Sequence, residues 1–459
     1  MLTVFGRRSD RYCDGFSRRN FLQISALGCG GMLSPNLPHA DASTQQDRHK
    51  SLIHVFLGGG PSQSEIFPNI EGPERFRTSF SPIATQLVGL SLCEHMPKLA
   101  AIADKLVFLP GVHAMDGSHQ PHCCFSGAVM SGPGATREKQ TFGPIGGRPS
   151  QGSYIARVLG SSDGSTPPYM SLFNRKIPGS GPGYLGGAYA PFSPNGQAAA
   201  DMRLNDITLD RLDDRRRLLK SLDQLERATG ELTELNATGA IRDNALQMIG
   251  AGPLADALDL SKEDPRVVDR YRVPGWNWKG GRTFDAGVTL GFVRARRLVE
   301  AGARYVAVGY GGWDTHQAND EILAGKLPIL DHGLAALVTD LEQRGMLDDV
   351  TVLVWGEMGR GKPYDQPRKD PATGITGCGT GHHGDCAPAF LAGGGMRVGQ
   401  VLGRLNRHGI DNIGRRVHNH EVLATVYHNL GIDLETARVT DFAGRPRRLL
   451  DHKPLHELT

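Results

Sequence analysis

Histidine, aspartate and glutamate recur in this 459-residue chain in short clusters, each beside a run of apolar, β-branched residues. Ser62, Ser64 and Glu65 follow Leu52-Ile53-His54-Val55-Phe56-Leu57. His113, Asp116, Ser118, His119 and His122 follow Leu106-Val107-Phe108-Leu109. Trp313-Asp314-Thr315-His316 follows Tyr305-Val306-Ala307-Val308, and Glu357 and Arg360 follow Val350-Thr351-Val352-Leu353-Val354-Trp355. His382, His383 and Asp385 stand just before Ala389-Phe390-Leu391-Ala392. Imidazole nitrogens and carboxylate oxygens are the ligands of catalytic zinc, and mixed sets also take manganese or calcium. An Asp-x-His pair is too closely spaced for one helical face but suits a loop leaving a strand. Taken singly, these residues read blandly: an exposed His is solvated, Glu357 and Arg360 form a local ion pair, and His122 packs under a helix. Their recurrence at successive strand ends points to one polar site holding a divalent metal. Asp314, His316 and Glu357 are expected as ligands. His119 and His122, three apart, would share a face if a helix began before them, and His119 is the stronger candidate.

Such a site needs a scaffold that brings strand ends together. The apolar runs are near-continuous and alternate with helical patterns. Val288, Phe292, Ala295 and Val299 fall at helical spacing, as do Leu330, Leu334, Leu337 and Leu341. Strands of that kind alternating with amphipathic helices imply an α/β fold, with a parallel or mostly parallel sheet covered by helices on both faces. In open α/β sheets ligands bind beyond the carboxyl ends of the strands. Residues 130–200, rich in Gly, Pro and Ser, read as long ordered loops. Residues 205–262, charged and leucine-rich, read as a helical insertion or cap. The glycine run 179–183 lacks the Lys-Ser/Thr of a phosphate-binding loop.

The N-terminus carries a different message. Ser17-Arg18-Arg19-Asn20-Phe21-Leu22-Gln23 reads as a twin-arginine export consensus, with a Gly- and Ala-rich apolar stretch to Leu33 and Ala40-Asp41-Ala42 as a small-x-small cleavage site. Residues 1–42 are therefore expected to be a signal peptide handled by the twin-arginine export machinery. Residues 43–459 are expected to be a single domain in the periplasm or outside the cell. The net charge is +3, and residues 1–42 carry five Arg and three Asp, so the remainder is close to neutral. That balance gives no case for nucleic acid. No apolar run after the leader reads as a transmembrane segment. Five cysteines follow the leader, and Cys378 and Cys386 are close enough in sequence to staple one loop.

Several segments together resemble a known family. They are Gly58-Gly59-Gly60-Pro61-Ser62-Gln63, Cys93-Glu94-His95-Met96-Pro97, Arg296-Arg297-Leu298-Val299-Glu300-Ala301-Gly302, Trp313-Asp314-Thr315-His316, Gly356-Glu357-Met358-Gly359-Arg360, His382-His383 and Gly393-Gly394-Gly395. Nearly the whole chain after the leader resembles the exported bacterial domain-of-unknown-function family 1501, related to the alkaline phosphatase and sulfatase superfamily. The resemblance implies an alkaline-phosphatase-like fold and hydrolysis of an anionic phosphate or sulfate ester with a divalent metal ion. It implies Glu65 as a first metal carboxylate, Asp314 and His316 as the Asp/His pair, Glu357 as the later acidic ligand, and His382 or His383 as the late histidine. Ser118 would be the nucleophile unless a metal-held water takes that part, with Arg360 gripping the ester's anionic oxygens through its planar fork. The segment Cys386-Ala387-Pro388-Ala389-Phe390 lacks the Arg of the motif that makes formylglycine, so a formylglycine sulfatase mechanism is not implied. The rival expectation is a non-catalytic member of the same fold that binds a carbohydrate or a protein.

Overall fold

The computed structural model describes residues 49–129, 147–162, 166–194, 253–273, 287–371, 374–441 and 443–459. The expected signal peptide and most of the expected insertion at 205–262 lie outside the described residues. Of the insertion, residues 253–262 are described and hold the short helix Pro253–Leu258 and a single 3-10 turn, Leu260–Lys262.

The central sheet is built from β1 (Ser51–Phe56), β2 (Leu106–His113), β3 (Tyr169–Ser171), β4 (Tyr305–Gly309), β5 (Val350–Trp355) and β8 (Ala387–Gly393). Between the last two lies a two-stranded ribbon, β6 (Gly359–Pro363) with β7 (Thr380–His383), and two-residue strands β9 (Gln400–Val401) and β10 (Val417–His418) complete the set. Across the sheet the order is β9, β2, β8, β5, β1, β4, β3, with β10 also pairing β2. Every pairing is parallel except those of β8, which runs antiparallel to both β2 and β5. That orientation matters for function. A parallel β8 would have put His382 and His383 at the far edge. Reversed, its beginning lies level with the carboxyl end of β5, where Glu357 emerges, on the same sheet edge from which Asp314 leaves β4.

Alternation along the strands feeds two cores. Ile53, Val55, Val306, Val308, Val352 and Val354 join one apolar cluster, and Leu52, Phe56, Tyr305, Ala307, Leu353 and Trp355 join the other. The first is covered by α4 (Val288–Glu300) and α5 (Asn319–Gln343). The second is covered by α2 (His122–Phe125), α3 (Gln151–Leu159) and α6 (Asn419–Asn429). The expected mostly parallel sheet with helices on both faces is the observed one. α5 is long and apolar enough to cross a membrane by length and composition, although no run in the sequence was expected to be. However, 72% of its most apolar window is buried inside the fold, as befits a core helix.

Two expectations are corrected. Residues 130–200 are not loop throughout. Ser150 caps α3 by accepting the Ser153 N–H, and Tyr169–Ser171 adds an edge strand after Pro167-Pro168. Composition hid both, because a good cap and three buried strand residues suffice once the sheet edge is there to pair. Cys378 and Cys386 form no disulfide, and Cys93, Cys123 and Cys124 are free as well. Cys378 is exposed on the loop before β7, whereas Cys386 is buried beside Gly111.

The Arg296-Arg297 landmark is structural. Arg296 is fully buried and pairs with Glu263, Glu300 and Asp340, and Arg297 joins it on Glu263. This network ties α4 to α5 and to the segment before residue 265.

Candidate metal centre

Three loops leave the carboxyl edge together and are held by one glycine. Gly59, just past β1, has φ +113°, and a Cβ there would lie 2.5 Å from the Asp314 amide nitrogen. Only glycine allows that approach. Its N–H donates to both carboxylate oxygens of Glu357 (2.9 and 3.1 Å), and its carbonyl accepts from Arg360 Nη1 at 3.2 Å. The Asp314 loop is pinned from the other side by Lys326 of α5. That ammonium donates to the Gly311 carbonyl at 2.8 Å and sits over the rings of Tyr310 (4.0 Å) and Trp313 (5.0 Å). Burial pushes the Lys326 pKa down to about 7.

The β6–β7 ribbon supplies the rest. Arg360 and His382 are directly opposite across it, so their side chains share a face. Asp314 is the hub. Its Oδ1 lies 2.8 Å from Arg360 Nη1, 3.0 Å from His382 Nε2 and 3.2 Å from His316 Nε2, and its Oδ2 lies 3.2 Å from His119 Nε2. One ligand atom from each of His119, Asp314, His316 and His382 lies within 4.8 Å of the others. Burial alone would raise the Asp314 pKa, but the hydrogen bond and charge of Arg360, with help from His382, outweigh it and hold the carboxyl below its ordinary value.

The tautomers say what the cluster wants. His316 Nδ1 lies 3.0 Å from the Thr380 carbonyl, which can only accept, so Nδ1 carries the proton. Burial, opposed by the charge of Asp314, lowers the His316 pKa and so favours the neutral ring. Its Nε2 therefore aims a lone pair at an anionic oxygen 3.2 Å away. A divalent cation between the two would satisfy both lone pairs, as a proton on Nε2 would in a simple ion pair. A backbone carbonyl fixing the far nitrogen is the usual support of a metal-binding imidazole. His119 is placed similarly. Its Nδ1 lies 3.7 Å from Glu357 Oε1, leaving Nε2 toward Asp314. Burial is the main cause of the raised Glu357 pKa, opposed by the Gly59 N–H and His119.

The sequence-derived candidates thus separate. His119, Asp314, His316 and His382 come together. Glu357 stands behind His119 rather than among the four. His383 points to the opposite face of β7 and meets Asp411 at 3.2 Å. Glu65 is buried in the short helix α1 (Gln63–Ile66), where it accepts from Ser64 at 3.1 Å, outside the four-residue group. Burial, then the nearby Asp320, raise its pKa to about 7. Ser118 precedes His119, and its hydroxyl and N–H donate to buried Asp116 at 2.6 and 2.9 Å. Arg360 does not face solvent. It is fully buried, and Nε and Nη2 bond the Thr380 hydroxyl (2.9 Å) and carbonyl (2.6 Å). The expected grip on substrate oxygens is replaced by a grip on Asp314. The shared helical face of His119 and His122 is also corrected, because α2 begins only at His122. Sequence reading missed Thr380, whose carbonyl orients His316, and Tyr364, whose ring stacks on His316 with centroids 6.1 Å apart. A residue acting through its backbone leaves no motif.

A direct check follows from the alternation on β7. His382→Ala is expected to weaken divalent-metal binding at least tenfold, and His383→Ala to leave it unchanged. Equal losses from both would contradict the assignment.

The chain belongs to the family described as "Protein of unknown function (DUF1501)", whose profile matches residues 49–459. No curated protein matches it. Among solved structures it is similar to the PsFucS1 sulfatase from Pseudoalteromonas sp. (11% identity, 92% of this chain and 73% of that one, TM-score 0.37). It is also similar to a protein in the alkaline phosphatase superfamily from Vibrio parahaemolyticus (10%, 90% and 76%, TM-score 0.34). A third is the phosphonate monoester hydrolase SpPMH from Silicibacter pomeroyi (9%, 84% and 74%, TM-score 0.36).

Proposed function

We propose that this chain is a metal-dependent hydrolase of phosphate or sulfate esters, exported by the twin-arginine machinery to the periplasm or beyond. The observation that carries the metal reading is the convergence of one ring nitrogen each from His119, His316 and His382 on the Asp314 carboxylate, with His316 Nδ1 held by the Thr380 carbonyl. The donor set is three nitrogens and one carboxylate, which suits zinc or manganese better than calcium, an ion that prefers oxygen throughout. Such an ion supplies Lewis-acid stabilisation of charge developing on an ester oxygen. The protein's own residues do the remainder. Asp116 orients the Ser118 hydroxyl and is placed to accept its proton, and the Thr380 carbonyl and Glu357 fix the rings of His316 and His119. The ester class rests on the motif resemblance, and Ser118 or water is the nucleophile.

The decisive experiment is elemental analysis of the purified mature protein with a panel of aryl phosphate mono- and diesters and sulfate esters. Retained zinc or manganese and chelator-sensitive turnover of at least one ester are expected. No metal retained and no turnover after adding either ion would favour the non-catalytic binding protein. One observation supports that alternative: Arg360, the cation that the motif was expected to offer an anion, is buried. Export is tested separately. Changing Arg18 and Arg19 together to Lys is expected to leave unprocessed protein in the cytoplasm, and normal export of that variant would exclude the twin-arginine route.

A further inference from the structure

Three other histidines converge where β10 enters α6 and the C-terminal tail folds back over it. One ring nitrogen from each of His418, His420 and His452 lies within 4.8 Å of the others. None belongs to the centre around Asp314. We propose that these three residues form a second metal site, for a zinc-class divalent transition ion held by imidazole alone.

The hydrogen bonds locate the lone pairs. His420 Nε2 lies 2.6 Å from the Gly127 carbonyl, so it carries the proton and leaves the Nδ1 lone pair free. That contact is close enough that a Cβ on Gly127 would lie 2.9 Å from Nε2. As at His316, a carbonyl fixes the far nitrogen of a ring whose near nitrogen is available. His420 Nδ1 lies 3.3 Å from His452 Nδ1. Two nitrogens bound to one zinc at about 2.0–2.1 Å and a tetrahedral angle are about 3.3–3.4 Å apart. The His418 lone pair is on Nδ1, which accepts the His420 N–H at 3.0 Å as the cap of α6. Coordination exchanges that capping bond for a metal bond. The other half of the capping box, the His418 N–H to Glu421 at 2.8 Å, is retained. All three residues are half-buried, which leaves a fourth position for water. With no carboxylate in the set, magnesium, calcium and manganese are disfavoured and zinc or copper favoured. The sequence signal was His418-x-His420 at a helix start, with the third ligand supplied by the tail.

The rival arrangement is purely structural: His452 donates Nδ1–H to His420, and its ring stacks on His418 with centroids 4.3 Å apart. Metal-stripped full-length mature protein reloaded with zinc distinguishes the two. Two tight equivalents are expected in the wild type, one in His452→Ala, and one in His418→Asn, because Asn keeps the helix cap without an imidazole. The equivalent bound around Asp314 remains in both variants. Cobalt in place of zinc is expected to give visible bands that lose intensity in the same variants. Equal zinc stoichiometry in wild type and both variants, whether one equivalent or two, would overturn the proposal. Matching melting curves in chelator confirm that each variant is folded.

Discussion

Asp314→Asn is expected to weaken the binding of zinc or manganese at this centre more than about 100-fold, measured by competition with a chromogenic chelator. Residues that merely support a metal ligand are worth roughly 10- to 100-fold in affinity. Asp314 is the single carboxylate in the cluster, and its two oxygens face all three imidazoles. Asn keeps the size and one acceptor but removes the charge that a divalent ion must meet. Its amide oxygen can still accept from Arg360 Nη1, which lies 2.8 Å from Oδ1 of Asp314. The variant thus keeps the anchor to Arg360 while losing the charge, which makes it a sharper probe than Ala. Any ester turnover that depends on the metal is expected to fall with occupancy. Unchanged affinity would mean that the cluster is a polar network and not a metal site.

How much of this was legible depended on whether backbone or side chain carried the information. Val350–Trp355 was read in full, and β1, β2, β4 and β8 were found with their ends displaced, because near-continuous apolar runs are the mark of strands buried on both faces. α4 and α5 followed from apolar spacing. The grouping of Asp314, His316, His119 and His382 was foreshadowed by their recurrence at strand ends. The direction of β8 was not, since an apolar run reads the same either way. Nor was the choice between His382 and His383, which the pleat decides. Composition cannot tell an arginine that faces solvent from one that is enclosed, so Arg360 read as a substrate-binding group. Motif residues proved to differ in kind: Gly59 is required by close backbone approach, Arg296 by burial among carboxylates, and Asp314 by the site itself.

Arg360 provides the test with the largest expected effect on stability. Its guanidinium joins three separately folded segments through Gly59, Asp314 and Thr380. Arg360→Met fills much of the same volume but removes one donor each from the Thr380 hydroxyl, the Thr380 and Gly59 carbonyls and the Asp314 carboxylate. Breaking a buried pair by removing one partner costs about 3–5 kcal/mol. Asp314 is 35% exposed, so water recovers part of its loss. A destabilisation of about 2–4 kcal/mol is therefore expected for the metal-free protein, measured by urea unfolding. Metal affinity is expected to fall about 10- to 100-fold as well, because Asp314 loses its anchor and Thr380, which orients His316, loses two donors. Arg360→Lys is expected to recover only part of both effects, since one ammonium cannot reach all these acceptors in the fixed geometry of the guanidinium fork. A residue that gripped substrate would behave differently, raising KM with little change in unfolding midpoint or metal content. Observing that pattern would return Arg360 to the substrate-binding role expected from its motif and would require the loop around it to open.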